Sequence, residues 1–174
     1  MKKTDLLSTL FVGIDVSSRE NVVCAIDYEA QKLLRFSVQN NHPGAVEMAQ
    51  KLHALLAGNR DINKLIVALE STSFYGIHIA NYLSSCEILM PFHTHVYCLN
   101  PKMIANYKKS YIDLGKNDAV DAFVLADFAR VGRINTAPWR GSQFLALQRL
   151  TRHRLHIAGS LTREKTYMLS NIFL

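Results

Sequence analysis

Three apolar runs follow one another with almost nothing between them, and this restricts the fold more than any other feature of the chain. "STLFVGIDVSS" (8–18), "ENVVCAIDYE" (20–29) and "KLLRFSVQN" (32–40) each read as a strand. A parallel return needs a crossover of a dozen or more residues, so connections this short make the three runs antiparallel neighbours. "HPGAVEMAQKLHALLAG" (42–58) then reads as a helix, with Pro43 in its first turn and Gly58 at its stop. "NKLIVALEST" (63–72) is apolar on both faces and reads as a central strand. "SFYGIHIANYLSSC" (73–86) reads as a helix and "HTHVYCLN" (93–100) as a fifth strand, on which His93 and His95 alternate as ordinary strand histidines. "PKMIANYKKSYIDLGK" (101–116) is polar, basic and aromatic, and reads as a loop with room for one helical turn.

A further helix is expected over 117–132, and "SQFLALQRLTRHRLHIAGSLTREKTYMLSNIF" (142–173) reads as one long helix after the punctuation of Pro138 and Gly141. Its Leu147, Leu150, Arg154, Ile157, Leu161 spacing is a coiled-coil-like stripe broken by one arginine, and Gly159 weakens it. The order β-β-β-α-β-α-β-α plus a long helix predicts an α/β fold: a mixed five-stranded sheet with flanking helices. The first strand should be central, with the second on one side and the fourth on the other. Two segments are expected, a catalytic-type domain over 8–135 and a basic helical segment over 140–174.

Charge is placed unevenly along the 174 residues. Residues 1–139 are nearly neutral, whereas 140–174 hold Arg140, Arg149, Arg152, Arg154, Arg163 and Lys165 against Glu164 alone. A basic tail points to a polyanion partner or to a solvated helix face. No apolar run reaches the roughly 18 residues a membrane span needs. Cys24, Cys86 and Cys98 have neither zinc nor disulfide spacing, and are expected as buried free thiols in a reducing cytoplasm.

The helix "KNDAVDAFVLADFAR" (116–130) carries Val120, Phe123, Val124 and Ala126 or Phe128 as a core-facing stripe, yet opens with two acids. Asp118 and Asp121 lie about 60° apart around the axis and share a face, whereas Asp127 lies about 180° from Asp118 and is expected in solvent. One explanation is helix chemistry: Asn117 as N-cap, with acids favoured at the positive end of the dipole. The other is a metal site. Asp15 ends the first strand and Glu70 the fourth. If those strands are parallel neighbours, both side chains emerge at the sheet edge where open α/β sheets bind ligands. The Asp118/Asp121 turn follows the fifth strand and can pack over the same edge. Four clustered carboxylates repel one another, and two divalent cations such as Mg²⁺ or Mn²⁺ relieve this while gripping the oxygens of a transferring phosphoryl group. Each acid also has a plainer role: Asp15 with Ser17 and Ser18 as a turn, Glu70 with Ser71 and Thr72 as a helix start.

In order and rough spacing, "GIDVSS", "ALESTSFYG", "LNPKMIANYKKS" and "KNDAVDAFVLADFAR" resemble the DEDD transposases of the insertion-sequence 110 and Piv invertase type, over about residues 10 to 135. The resemblance implies a RuvC-like N-terminal domain with a ribonuclease H-like fold, and an acidic tetrad at Asp15, Glu70, Asp118 and Asp121. Two positions depart from the family pattern: Ser73 stands where Gly is frequent, and Asn117 where Thr is usual. The family also implies DNA as substrate, a structured noncoding RNA as guide, and a second domain with a Ser nucleophile, expected beyond residue 174. Location in the prokaryotic cytoplasm, at the nucleoid, follows from the same resemblance. Lys102, Lys108, Lys109 and Lys116 before the acidic helix would hold phosphates, with Tyr107 and Tyr111 stacking on bases. Arg149, Arg152 and Arg154 would grip a backbone, and the long helix would join two copies.

Two other readings compete. Actin-like and sugar-kinase ATPases also open on a Gly-Ile-Asp strand and two hairpin strands, but need a Gly-rich phosphate turn where this chain has "VSSREN". In a non-catalytic nucleic-acid-binding assembly module, the carboxylates would be structural.

Overall fold

The computed structural model describes residues 3–71, 74–111 and 118–173. Strands β1 (Thr9–Val16), β2 (Glu20–Ile26), β3 (Lys32–Gln39), β4 (Lys64–Glu70) and β5 (His95–Leu99) form one sheet in the order β3-β2-β1-β4-β5. β1, β2 and β3 are joined antiparallel, and β4 and β5 continue parallel to β1. The first strand is therefore central, as expected. Turn chemistry explains the tight hairpins. The Ser17 hydroxyl accepts from the Glu20 N–H at 3.0 Å and donates to the Glu20 carbonyl at 2.7 Å. Between β2 and β3, the Asp27 carboxylate accepts from the Gln31 N–H at 2.8 Å.

The chain divides into two units, Met1–Trp139 and Arg140–Leu174. In the first unit, helices α1 (Lys3–Leu7), α2 (His42–Gly58), α3 (Ile77–Ser85), α4 (Pro101–Lys108) and α5 (Asp118–Arg130) surround the sheet. The alternation of strand side chains sorts the core into two layers. Leu10, Val12, Ile14, Leu65, Val67 and Leu69 pack with α2 and α3. Phe11, Ile66 and Ala68 pack with α4 and α5. Asp15 and Glu70 continue this second set of alternate positions, so they belong to the face that α5 covers.

Several sequence expectations need correction. Pro101–Lys108 is a helix of two turns where a loop was expected. Asn100 caps it by accepting from the Lys102 N–H at 2.9 Å, Pro101 occupies its first turn, and Ile104 is buried. Its outer face is polar, and this hid the helix. His93 does not share a strand face with His95. Residues Glu87–Phe92 form a 3₁₀ helix, His93 ends it in the left-handed region (φ 44°), and β5 starts only at His95. The His95 ring nitrogen Nδ1 sits 2.7 Å from the His93 carbonyl oxygen. The helix expected from residue 73 starts as a 3₁₀ turn, Phe74–Gly76, before α3. Of the three free thiols only Cys24 is fully buried; Cys86 and Cys98 are half-buried. Among the described residues no helix is long and apolar enough to cross a membrane.

The second unit is the helix α6 (Ser142–Ile172), in which no residue is buried. Leu147, Leu150, Ile157 and Leu161 are each more than half exposed. Arg154 falls on this same apolar stripe, whereas Arg149, Arg152 and His156 follow one another at helical spacing on a separate basic one.

Candidate metal and nucleic-acid site

The site is assembled by register. β1 and β4 pair in parallel from Thr9 opposite Lys64 to Ile14 opposite Leu69. One residue further along, Asp15 and Glu70 stand side by side at the carboxyl edge of the two central strands. Ser17 closes the β1–β2 turn, and Ser71 ties the end of β4 to β5, its hydroxyl donating to the Leu99 carbonyl at 3.0 Å. The second plain reading also involves Thr72, which lies outside the described residues.

Gly13 brings α5 to this edge. A methyl group on Gly13 would stand 1.9 Å from the Ala122 carbonyl oxygen and 2.5 Å from the Ala126 nitrogen. The helix backbone therefore lies directly on the strand. Ala122 follows Asp121 and Gly13 precedes Asp15 by two, so this contact delivers Asp121 to the carboxylate pair. Burial pushes the Glu70 carboxyl above its usual range, and the negative charges of Asp15 and Asp121 push it the same way; Lys108 partly offsets them. These four groups share one electrostatic neighbourhood. Lys108 forms an ion pair with Asp121 across α4 and α5.

Asp118 is the first residue of α5. Its side chain, together with Asn117 and Lys116, lies outside the described residues. Among the described residues no group of three His, Cys, Asp or Glu is gathered tightly enough to hold a metal ion. The donor chemistry nevertheless fits a hard divalent cation: three half-buried carboxylates, with Lys108 paired to one of them.

Asp127 is not in solvent but 5 % exposed. The wheel angle was right; α4 covers the side of α5 where Asp127 lies. Its carboxylate accepts from the Tyr107 hydroxyl at 2.6 Å, from the Tyr111 hydroxyl, and from Arg130 Nε at 2.7 Å. Arg130 also donates to the Tyr28 carbonyl at 3.1 Å. Burial alone would raise the Asp127 carboxyl, but donation from Tyr107, Tyr111 and Arg130 outweighs it and holds the group below the usual carboxylate range. The Tyr107 and Tyr111 hydroxyls are thus engaged with Asp127, and both rings are half-buried.

Of the expected phosphate-binding residues, Lys102 and Lys109 are exposed and seven residues apart, on one face of α4 and its end. Lys108 is half-buried and committed to Asp121. Arg149, Arg152 and Arg154 are exposed on α6. Phe74 and Tyr75 follow Glu70 by four and five residues and are 76 % and 52 % exposed. Asn40 braces this segment, donating to the Ser17 carbonyl at 2.6 Å and the Tyr75 carbonyl at 3.3 Å.

Comparison with known proteins gives a family and a set of distant structural likenesses. Thermus thermophilus RuvC is similar at 16% identity and a TM-score of 0.47, over 75% of this chain and 99% of that one. T. thermophilus RuvC in complex with Holliday junction substrate is similar at 15% identity and a TM-score of 0.46, with the same shares covered. A glucokinase of the ROK family from Streptomyces griseus is similar at 15% identity and a TM-score of 0.32, over 62% of this chain and 38% of that one. No curated protein matches. The profile of the insertion-sequence 110 type DEDD family, described as "Transposase", matches residues 12–172. That span runs from the middle of β1 to the last residue of α6, and the chain belongs to this family of DEDD transposases.

Proposed function

We propose that Asp15, Glu70, Asp118 and Asp121 are the acidic tetrad of a DNA transposase domain and hold two Mg²⁺ or Mn²⁺ ions for phosphoryl transfer on DNA. The observation that carries this reading is the level placement of Asp15 and Glu70 at the sheet edge, with Asp121 brought over them by the α5–Gly13 contact. The bound ions would supply Lewis-acid polarisation of the scissile phosphate. The chain's own residues do the rest. Asp15 and Glu70 come from the two strands at the centre of the sheet, which gives the site a rigid floor. Asp118 and Asp121 share one face of a helix and form its other wall. Lys102, Lys109 and Lys116 hold flanking phosphates, and Arg149, Arg152 and Arg154 on α6 hold phosphates of their own. Phe74 and Tyr75, exposed just beyond Glu70, are positioned to meet bases near the acidic edge.

The finer features of the family belong to the same proposal: a structured noncoding RNA as guide, a Ser-bearing second domain for complete strand exchange, and association of two copies through the apolar stripe of α6. The site of action is the nucleoid. Calorimetric titration with Mn²⁺ tests the central claim. Wild type should bind, and Asp15→Asn and the double variant Asp118→Asn/Asp121→Asn should not. Retention of Mn²⁺ by both variants would show that the carboxylates serve the fold alone.

A further inference from the structure

Lys108 stands where its charge is least free. Its ammonium is paired with Asp121, and the two side chains are 25% and 37% exposed. The helix that carries it is fastened. Ile104 is buried, the Tyr107 hydroxyl donates to Asp127 at 2.6 Å, and the Tyr111 hydroxyl reaches the same carboxylate. Asp127 and Asp121 lie six residues apart on α5, about 9 Å along its axis. The tyrosine–aspartate contacts therefore hold α4 against one part of α5 while Lys108 meets another. The pairing is set by two docked helices and not by a wandering surface chain.

Charge counting gives the pair a meaning. Among the described residues Lys108 offsets one carboxylate of the edge, Asp121. Two divalent cations offset all four carboxylates of the tetrad, and an ammonium still in contact with Asp121 would then face those cations across a few ångströms. A carboxylate oxygen held by Lys108 is also one donor fewer for a metal.

We propose that Lys108 is the built-in counter-ion of the metal-free acidic edge, and that divalent cations displace it from Asp121 as they bind. This rests on the metal-site reading above. Lys108 eases the repulsion between Asp121 and Glu70 in the absence of metal, and it weakens metal binding because it must be displaced. Once displaced, the ammonium is a donor beside the ions, where a phosphate oxygen is its natural next partner. Cation binding and DNA binding then favour each other, reciprocally.

The test uses the full chain as wild type, Lys108→Met and Lys108→Arg, with Mn²⁺ titration by calorimetry and thermal unfolding in chelator and in saturating Mn²⁺. Lys108→Met should bind Mn²⁺ about fivefold more tightly than wild type, the scale set by loss of a partly exposed ion pair. It should unfold at lower temperature in chelator, and Mn²⁺ should remove that deficit. Lys108→Arg keeps the charge and should stay near wild type in both readouts. Equal or weaker Mn²⁺ binding by Lys108→Met overturns the displacement and leaves the metal site standing. A deficit that persists unchanged in saturating Mn²⁺ makes Lys108 a structural contact and overturns it as well. Absence of Mn²⁺ uptake by all three proteins overturns the metal site itself, and the displacement with it.

Discussion

Gly13 of β1 and Ala122 of α5 touch backbone to backbone: a methyl group on Gly13 would sit 1.9 Å from the Ala122 carbonyl oxygen. This contact sets the height of Asp121 above Asp15 and Glu70. Gly13→Ala forces the helix off the strand, because the obstructing atoms are main chain and have no rotamer to change. Overpacking of this kind costs about 3 kcal/mol, the upper end of its usual range. Urea unfolding should show that loss. Mn²⁺ titration should show a second effect that a conservative core change such as Val67→Ile does not share: weakened binding in the fraction that remains folded.

Glu70 gives the site a pH signature. Its folded pKa is raised, first by burial and then by Asp15 and Asp121. A raised carboxyl contributes stability that is complete below its unfolded pKa and is lost as pH rises through the folded value. The metal-free protein should therefore lose stability across the pH range just above the ordinary carboxylate pKa. Glu70→Gln removes that loss and should melt higher than wild type at neutral pH in chelator, by roughly 2–4 °C for each kcal/mol of relieved repulsion. The same variant should gain little from Mn²⁺, whereas wild type gains several degrees. A Glu70→Gln protein that melts lower in chelator would mean that repulsion does not govern this edge.

Much of this architecture can be read from the sequence because few alternatives exist. Turns as short as those at Ser17–Glu20 and Asp27–Gln31 permit only hairpins. Once β1 is flanked by β2, the apolar β4 run takes its other side, and Asp15 and Glu70 converge at one edge. The parts that escaped sequence reading depend on what covers a surface. A helical wheel separates Asp127 from Asp118 correctly but carries no information about α4 lying over it. α4 itself offers only Met103, Ile104 and Tyr107 as an apolar face within eight residues, too few for a period to emerge. Gly13 had a usable signal: a glycine inside a strand often marks a close approach of another backbone.

Asp127 offers a second acid-sensitive element, of opposite sign to Glu70. Its folded pKa is lowered because donation from Tyr107, Tyr111 and Arg130 outweighs burial. Stability from this group is present above the unfolded carboxyl pKa and is lost as pH falls through the folded value. Asp127→Asn keeps the shape but leaves Arg130 without its buried partner, at a cost of about 3 kcal/mol or more. Chemical unfolding between pH 7 and pH 3 should show a lower plateau for Asp127→Asn and a shallower decline on the acid side. Tyr111→Phe removes one donor to a charged acceptor and should cost about 1.5 kcal/mol. Base stacking by Tyr111 would instead appear as a selective loss of single-strand affinity with stability intact.

Lys102 and Lys109 separate phosphate binding from the metal edge. Both are exposed on α4, and neither pairs with a carboxylate among the described residues. If each contacts one DNA phosphate, Lys102→Ala and Lys109→Ala should each reduce the slope of log K against log salt by about 0.9 on duplex DNA. Their Mn²⁺ affinity in the absence of DNA should match wild type, since neither reaches Asp15, Glu70 or Asp121. Lys108→Met should differ on both counts, with tighter Mn²⁺ binding alone and a reduced salt slope only when Mn²⁺ is present. A lysine that alters the slope equally with and without Mn²⁺ contacts phosphate independently of the acidic edge. For Lys108, that result would mean its pairing with Asp121 does not persist in solution.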